Sequence, residues 1–250
     1  MNVETEGIIL KQVKTINGRR MVLLFSKKYG KISAGTLINE KGKSRAALAM
    51  RPFTFGKYDV NKTSATYHVN AAEAIKSYYK IGEDVEKYMS ASYVLEFTEK
   101  ILPESMPSVE LFKLLTDFLD IIEVRTKKHM TVVIDYQLQA IKILGIAPEL
   151  ERCVCCESTD KCEYFCVEEG GLTCENCRNI IIKAGKLQLL YNVDFDIIAT
   201  LKYFLRNDLK SIKNIALNDE ILTKLKAIVK HYVAYHLGVE KLLSEEFLND

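Results

Sequence analysis

"RMVLLFSKKYGKISAGTLI", Arg20 to Ile38, sets two short apolar runs on either side of a polar break at Lys28-Tyr29-Gly30. Arg20–Ser26 and Lys31–Ile38 read as strands, because runs of this length and composition bounded by turn residues are strand-like. Working outward, Val3–Val13 precedes them, and Pro52–Val60 and Thr66–Val69 follow. The remaining breaks are Ile16-Asn17-Gly18, the loop from Asn39 to Arg45, and Asn61-Lys62-Thr63-Ser64. Five short strands in the first seventy residues predict a small closed or partly closed barrel, since a sheet that short removes its edges best by curling on itself.

Beyond residue 70 the period becomes helical. Glu83–Leu102 carries an apolar side and stops at Pro103. Ser108 reads as the N-cap of a helix running to Val124, and Thr131–Leu144 ends at Gly145 with Pro148 beyond it. Asp194–Leu205 and Asp219–Leu237 read as two further helices, the last closed by Gly238. The expected organisation is an all-β barrel domain over residues 1–80 and an all-α domain over 81–250, the latter interrupted by a cysteine-rich insert at 150–180.

Charge divides along the same boundary. Residues 1–80 hold fifteen Lys or Arg against five Asp or Glu, a net +10, whereas 81–250 hold twenty against twenty-eight, a net −8. Such asymmetry predicts that the first part meets a polyanion. Its cations cluster at breaks between strands: Arg19-Arg20, Lys27-Lys28 with Lys31, and Lys41, Lys43 and Arg45. Tyr29, Phe53, Phe55 and Tyr58 offer stacking surfaces for unpaired bases on one reading and barrel core on the other, and aromatics alternating along a strand favour core.

All seven cysteines lie between Glu151 and Cys177. Cys153/Cys156 and Cys174/Cys177 form two CxxC pairs with seventeen residues between them, a spacing that suits four thiolates on one tetrahedral zinc ion. Four sulfur ligands leave no position for substrate, so the zinc would brace the insert. Cys155, Cys162 and Cys166 leave other ligand sets open, and a redox CxxC or a set of free thiols are the competing readings. Neither pair sits in the strand-to-helix context of a thioredoxin motif.

The chain contains no phosphate-binding glycine loop, nucleophile elbow or HExxH. His231 and His236 are five apart, about 140° around a helix, which suits packing better than metal ligation. A non-enzymatic role follows as the expectation. The N-terminus shows no basic leader with an apolar run, and no eighteen-residue apolar stretch occurs, so the expectation is a cytoplasmic protein without membrane contact.

The ordered set "TEGIILKQVK", "VLLFSKKYGKISAG", "KSRAALAMRPF", "SASYVLEFTEKIL", "GIAPELERCVCC" and "YFCVEEGGLTCENC" resembles the bacterial recombination mediator family RecO over most of residues 4–180. The resemblance implies an OB-fold barrel followed by a helical domain with a four-cysteine zinc module. It implies a DNA repair factor that binds single- and double-stranded DNA and anneals complementary strands. It further implies engagement of the acidic-hydrophobic tail of single-stranded DNA-binding protein (SSB), and loading of RecA together with RecR. By motif position, Lys31, Lys43 and Arg45 would contact phosphates, with Lys27, Lys28 and Arg51 as secondary candidates. The chain departs from the family at "INGRRM", where relatives commonly carry an acidic residue or two, so Arg19 and Arg20 stand either as an added phosphate contact or as a local peculiarity. An RNA-binding OB-fold adaptor with a structural zinc site is the runner-up, and a thiol-redox or metal sensor the third reading.

Overall fold

The computed structural model describes residues 2–14, 20–39, 41–63, 66–185 and 189–248. Five strands, β1 (Asn2–Lys14), β2 (Arg20–Ser26), β3 (Gly30–Thr36), β4 (Thr54–Lys62) and β5 (Tyr67–Ser77), close into a barrel in the order β1-β2-β3-β5-β4. All neighbours are antiparallel except β3 and β5. β1 serves two partners: its first half pairs with β4 from Asn2↔Asn61 to Ile8↔Phe55, its second with β2 from Gly7↔Ser26 to Lys14↔Arg20. A bulge between Ile9 and Lys11 bends β1 from one partner to the other.

Alternation along these strands places Ile9, Val22, Leu24, Ile32, Tyr58, Val60 and Val69 in the interior. A short helix, α1 (Arg45–Ala49), capped by the Ser44 side chain at the Ala47 amide, adds Ala49 and Met50 to that core. The buried Tyr58 hydroxyl donates to the Ala49 carbonyl at 2.6 Å, tying helix to barrel.

Apolar side chains on the barrel's outer face explain the next layer. Ile8 pairs with Phe25 on one side and Phe55 on the other, so the three form a row across β2-β1-β4. Phe112, on α3 (Val109–Val124), packs edge-on against Phe25 at 5.2 Å and Phe55 at 6.0 Å. Together with α2 (Val85–Ile101), α3 covers that face. The compact units therefore divide further along the chain than the change of period: one comprises Met1–Val124 with Leu242–Asp250, the other Arg125–Lys241.

Two expectations for the first unit change. The loop read from Asn39 to Arg45 is followed by α1, which is too short to show a helical period. The fifth strand, read as Thr66–Val69, continues to Ser77, because Ala71, Ala72 and Ala74 together with two register shifts against β4 remove the alternation that marks a strand. The break at Ile16-Asn17-Gly18, like Arg19, lies outside the described residues.

In the second unit α4 (His129–Ile143) is buried on nearly every face. Its polar residues are spent on neighbouring backbone. Gln139 donates to the carbonyls of Phe204 and Asn207, and Lys142 to Leu205 at 2.6 Å, satisfying the last turn of α6 (Phe195–Arg206). Arg125 donates to the carbonyls of Lys213 and Ile215 at 2.7 and 2.5 Å. Asp135 is fully buried with Oδ2 unpartnered among the described residues, and desolvation pushes its carboxyl up to about 8. The long helix α7 (Asp219–Leu237) starts at the Asn218 cap and ends at Gly238. Among the described residues no helix is long and apolar enough to cross a membrane.

Candidate metal centre and nucleic-acid interface

The cysteine insert is built on three strands of three residues each, β6 (Tyr164–Cys166), β7 (Gly171–Thr173) and β8 (Leu190–Asn192), in the order β7-β6-β8, with α5 (Glu175–Lys183) between β7 and β8. Gly171 is required where the incoming chain meets β7, since a Cβ there would lie 2.3 Å from the Glu149 carbonyl oxygen. The first CxxC sits in a tight turn in which the Glu157 amide returns to the Cys153 carbonyl at 2.9 Å. The second follows β7 directly and opens α5, with Cys174 as its N-cap residue and Cys177 in the first turn, so against expectation this pair does stand between a strand and a helix; three-residue strands are too short to announce that context in the sequence.

These two turns bring the sulfur atoms of Cys153, Cys156, Cys174 and Cys177 within 4.8 Å of one another. Cys156 Sγ and Cys174 Sγ are 3.8 Å apart, and thiolates bound at about 2.3 Å to a tetrahedral ion stand about 3.8 Å from each other. The donor set fits a four-sulfur metal site. Burial alone would raise the Cys153 thiol, but amide donors from Cys174, Cys155 and Cys156 outweigh it and bring it down to about 6. Burial followed by contact with the other thiols raises Cys177 far above the usual range. One thiolate thus forms readily and hinders its neighbours, a conflict that a bound cation removes.

The other three cysteines stand outside this set. Cys155 and Cys162 are raised mainly by burial, Cys155 to about 11, and Cys166 is buried in β6. Both C-terminal histidines pack: His236 donates to the Val167 carbonyl at 2.8 Å, and His231 bonds Tyr191. With Phe165 against Tyr232 at 5.9 Å, these contacts seat the small sheet on α7.

The predicted phosphate contacts separate into groups. Lys31 is drawn into the fold: the segment after α2 pairs beside β3, and the Lys31 ammonium donates to the Glu99 carbonyl at 2.9 Å and lies 3.3 Å from the Glu104 carboxylate. Its side chain is only 13% exposed. Gly30 allows this approach, since its φ of +67° and its contact with the Met106 backbone exclude a side chain. Lys27 pairs with Glu6 at 2.8 Å, Lys28 donates to the Glu4 carbonyl at 2.8 Å, and Arg20 reaches the Ile38 carbonyl at 3.4 Å. Arg45 pairs with Glu73 at 2.8 Å while staying largely exposed, and Arg51 donates to the Gly42 carbonyl at 3.0 Å, fastening the loop before α1. Lys43 is exposed with no partner among the described residues, as is the side chain of its neighbour Lys41.

The aromatic candidates resolve mostly to core. Tyr58 and Phe53 are buried and Phe55 packs on Phe112, whereas Tyr29 is half-buried beside Tyr67 at 6.4 Å. Tyr67, unmarked by the sequence reading, carries the Lys62 ammonium 5.4 Å over its ring. The nearby lysine at the preceding strand end was the available signal.

Comparison with known proteins decides the family. The description "Recombination protein O N terminal" matches residues 1–78 and "Recombination protein O C terminal" matches 82–246. The chain belongs to the RecO family of DNA repair proteins. DNA repair protein RecO of Thermoanaerobacter sp. (strain X514) is 30% identical over 99% of this chain and 97% of its own length. The RecO of Bacillus subtilis (strain 168) is 28% identical over 100% and 94%, and that of Alkaliphilus metalliredigens (strain QYMF) 28% over 95% and 94%.

Proposed function

We propose that this chain is a non-enzymatic cytoplasmic recombination mediator that binds single- and double-stranded DNA, anneals complementary strands and, with RecR, loads RecA onto SSB-coated strands. The observation that carries this reading is the match of both halves of the chain to the RecO family, in order and nearly end to end. The barrel supports it physically. Annealing needs a surface that neutralises two phosphate backbones without reading sequence. The loop before α1 presents Lys41 and Lys43 to solvent and is braced by Arg51, and Arg45 stands exposed in the first turn of α1. Lys27, Lys28 and Arg20 form a second rank, held by local carboxylates and carbonyls. Lys31 serves the barrel's junction with α2 ahead of DNA. Tyr29 and Tyr67, with Lys62, supply a stacking surface for an unpaired base.

The proposed domain organisation follows function: residues 1–80 form the nucleic-acid-binding domain, and 81–250 the helical domain with its insert at 150–180. The ion held by Cys153, Cys156, Cys174 and Cys177 is zinc, since four sulfur donors at tetrahedral spacing suit it. It supplies cohesion to the insert, and the four thiols are all consumed in holding it.

Competition between single-stranded DNA and RNA of equal length, followed by addition of the complementary DNA strand, tests the mediator role. Preferred DNA binding with accelerated annealing is the expected result. A tenfold or greater RNA preference would instead support the adaptor reading.

A further inference from the structure

A cleft of about 720 Å³ runs between the bulged part of β1 and one side of α2 from Val85 to Glu99. Leu10, Phe53 and Leu95 form its buried floor. Around its rim stand Val85, Tyr88 and Leu243, which are 69%, 52% and 71% exposed. Large apolar side chains scattered singly over a surface are ordinary, but three around one concave site mark a place built for contact.

The charges beside it are of the wrong sign for nucleic acid. The lining contains Glu83, Glu96 and Glu99 against Lys11 alone, although residues 1–80 carry a net +10. Lys11 lies 3.9 Å from Glu99 and is offset by it. Glu96 accepts from the amides of Leu243 and Ser244 and from the Ser244 hydroxyl, at 2.9, 2.8 and 2.6 Å, so the C-terminal segment forms one wall. Glu83 is exposed with no partner among the described residues.

We propose that this cleft docks a basic amphipathic helical segment of a partner protein. Apolar side chains one turn apart on such a helix seat against Val85, Tyr88 and Leu243, while a Lys or Arg beside them faces Glu83. Phosphate backbones and acidic peptides are disfavoured by Glu83 and by the net negative lining. A second copy docking about a two-fold axis would bring the acidic rim against itself, which costs affinity. The docking site stands apart from the cationic loop and does not depend on the DNA-binding reading.

Two fluorescent helical peptides with one Leu/Phe stripe test it, one carrying Lys and the other Glu at the polar positions, by anisotropy with the full chain. The Lys peptide is expected to bind saturably and at least about tenfold more tightly than the Glu peptide. The double substitution Val85→Asn/Tyr88→Asn is expected to weaken it by about tenfold or more, and Glu83→Lys to weaken it in a salt-dependent way. All three side chains are exposed, and thermal melting confirms that the variants fold. Single-stranded DNA affinity is expected to be unchanged in them. Equal binding of the peptides, preference for the Glu peptide, no binding, or indifference to Val85→Asn/Tyr88→Asn overturns the proposal. So does a self-associated species that the double substitution abolishes.

Discussion

The five-stranded barrel encloses Ile9, Val22, Leu24, Ile32 and Tyr58 between strands of seven to thirteen residues, whereas the sheet beside the cysteines has strands of only three. A sheet that short has little apolar surface to bury on itself. What gathers at its centre is sulfur: Cys153, Cys174 and Cys177 are buried together, with Cys156 at the rim. The barrel is held by packing, and on the proposed reading the insert is held by an ion. On that reading the four thiols are spent on structure, while Lys41 and Lys43, whose side chains have no partner among the described residues, are free to meet a ligand.

The largest effect should come from breaking the ligation. Cys174→Ser, or treatment with a strong chelator, is expected to remove bound zinc and cost several kcal/mol, as structural zinc contributes about 10–16 kcal/mol of apparent binding energy in small peptides. Hydrogen exchange should then lose protection between residues 149 and 193 while the barrel amides stay protected. Retained protection in the insert would mean that packing holds it after all. Leu24→Ala should cost about 2–5 kcal/mol through the cavity left in the barrel. Its melting shift should be the same with and without chelator.

A smaller effect is expected from Asp135. Its folded carboxyl titrates at about 8, against 3.8 when unfolded, so the folded state holds a proton that the unfolded state gives up. The stability it contributes is full below about 3.8 and is lost as pH rises through about 8. Asp135→Asn should flatten that decline in denaturant midpoints and be neutral or stabilising near pH 8; an unchanged slope would place the titration elsewhere. The smallest effects belong to Cys155→Ser and Cys162→Ser, which should leave zinc content intact and stability within about 0.5 kcal/mol. Loss of zinc in either would redraw the ligand set.

Legibility from sequence followed the same divide. The barrel's strands show in the short apolar run Met21–Phe25 and the alternation Ile32–Ala34, bounded by turn residues, and the gathering of four cysteines shows in covalent spacing that no tertiary contact can alter. α1 was hidden because five residues give little more than one turn, and the end of β5 because its alanines and register shifts erase the pattern. The outward row Ile8, Phe25 and Phe55 was visible as apolar residues, but the partner that covers it, Phe112, is far along the chain. Least legible was which cations have partners. Charge is written in the sequence and its partners are not, so Lys31 reads like Lys43 until Glu99 and Glu104 fold back onto it.

The most direct test is the affinity of fluorescent single-stranded DNA between about 50 and 200 mM salt for the wild type, Lys41→Ala/Lys43→Ala and Cys174→Ser. The loop variant should bind more weakly and lose about two from the magnitude of its salt slope, while Cys174→Ser keeps both affinity and slope near wild type. A loop variant that binds like wild type, or a Cys174→Ser protein with an intact barrel that no longer binds, would contradict the assignment of DNA to the barrel and of the metal to structure.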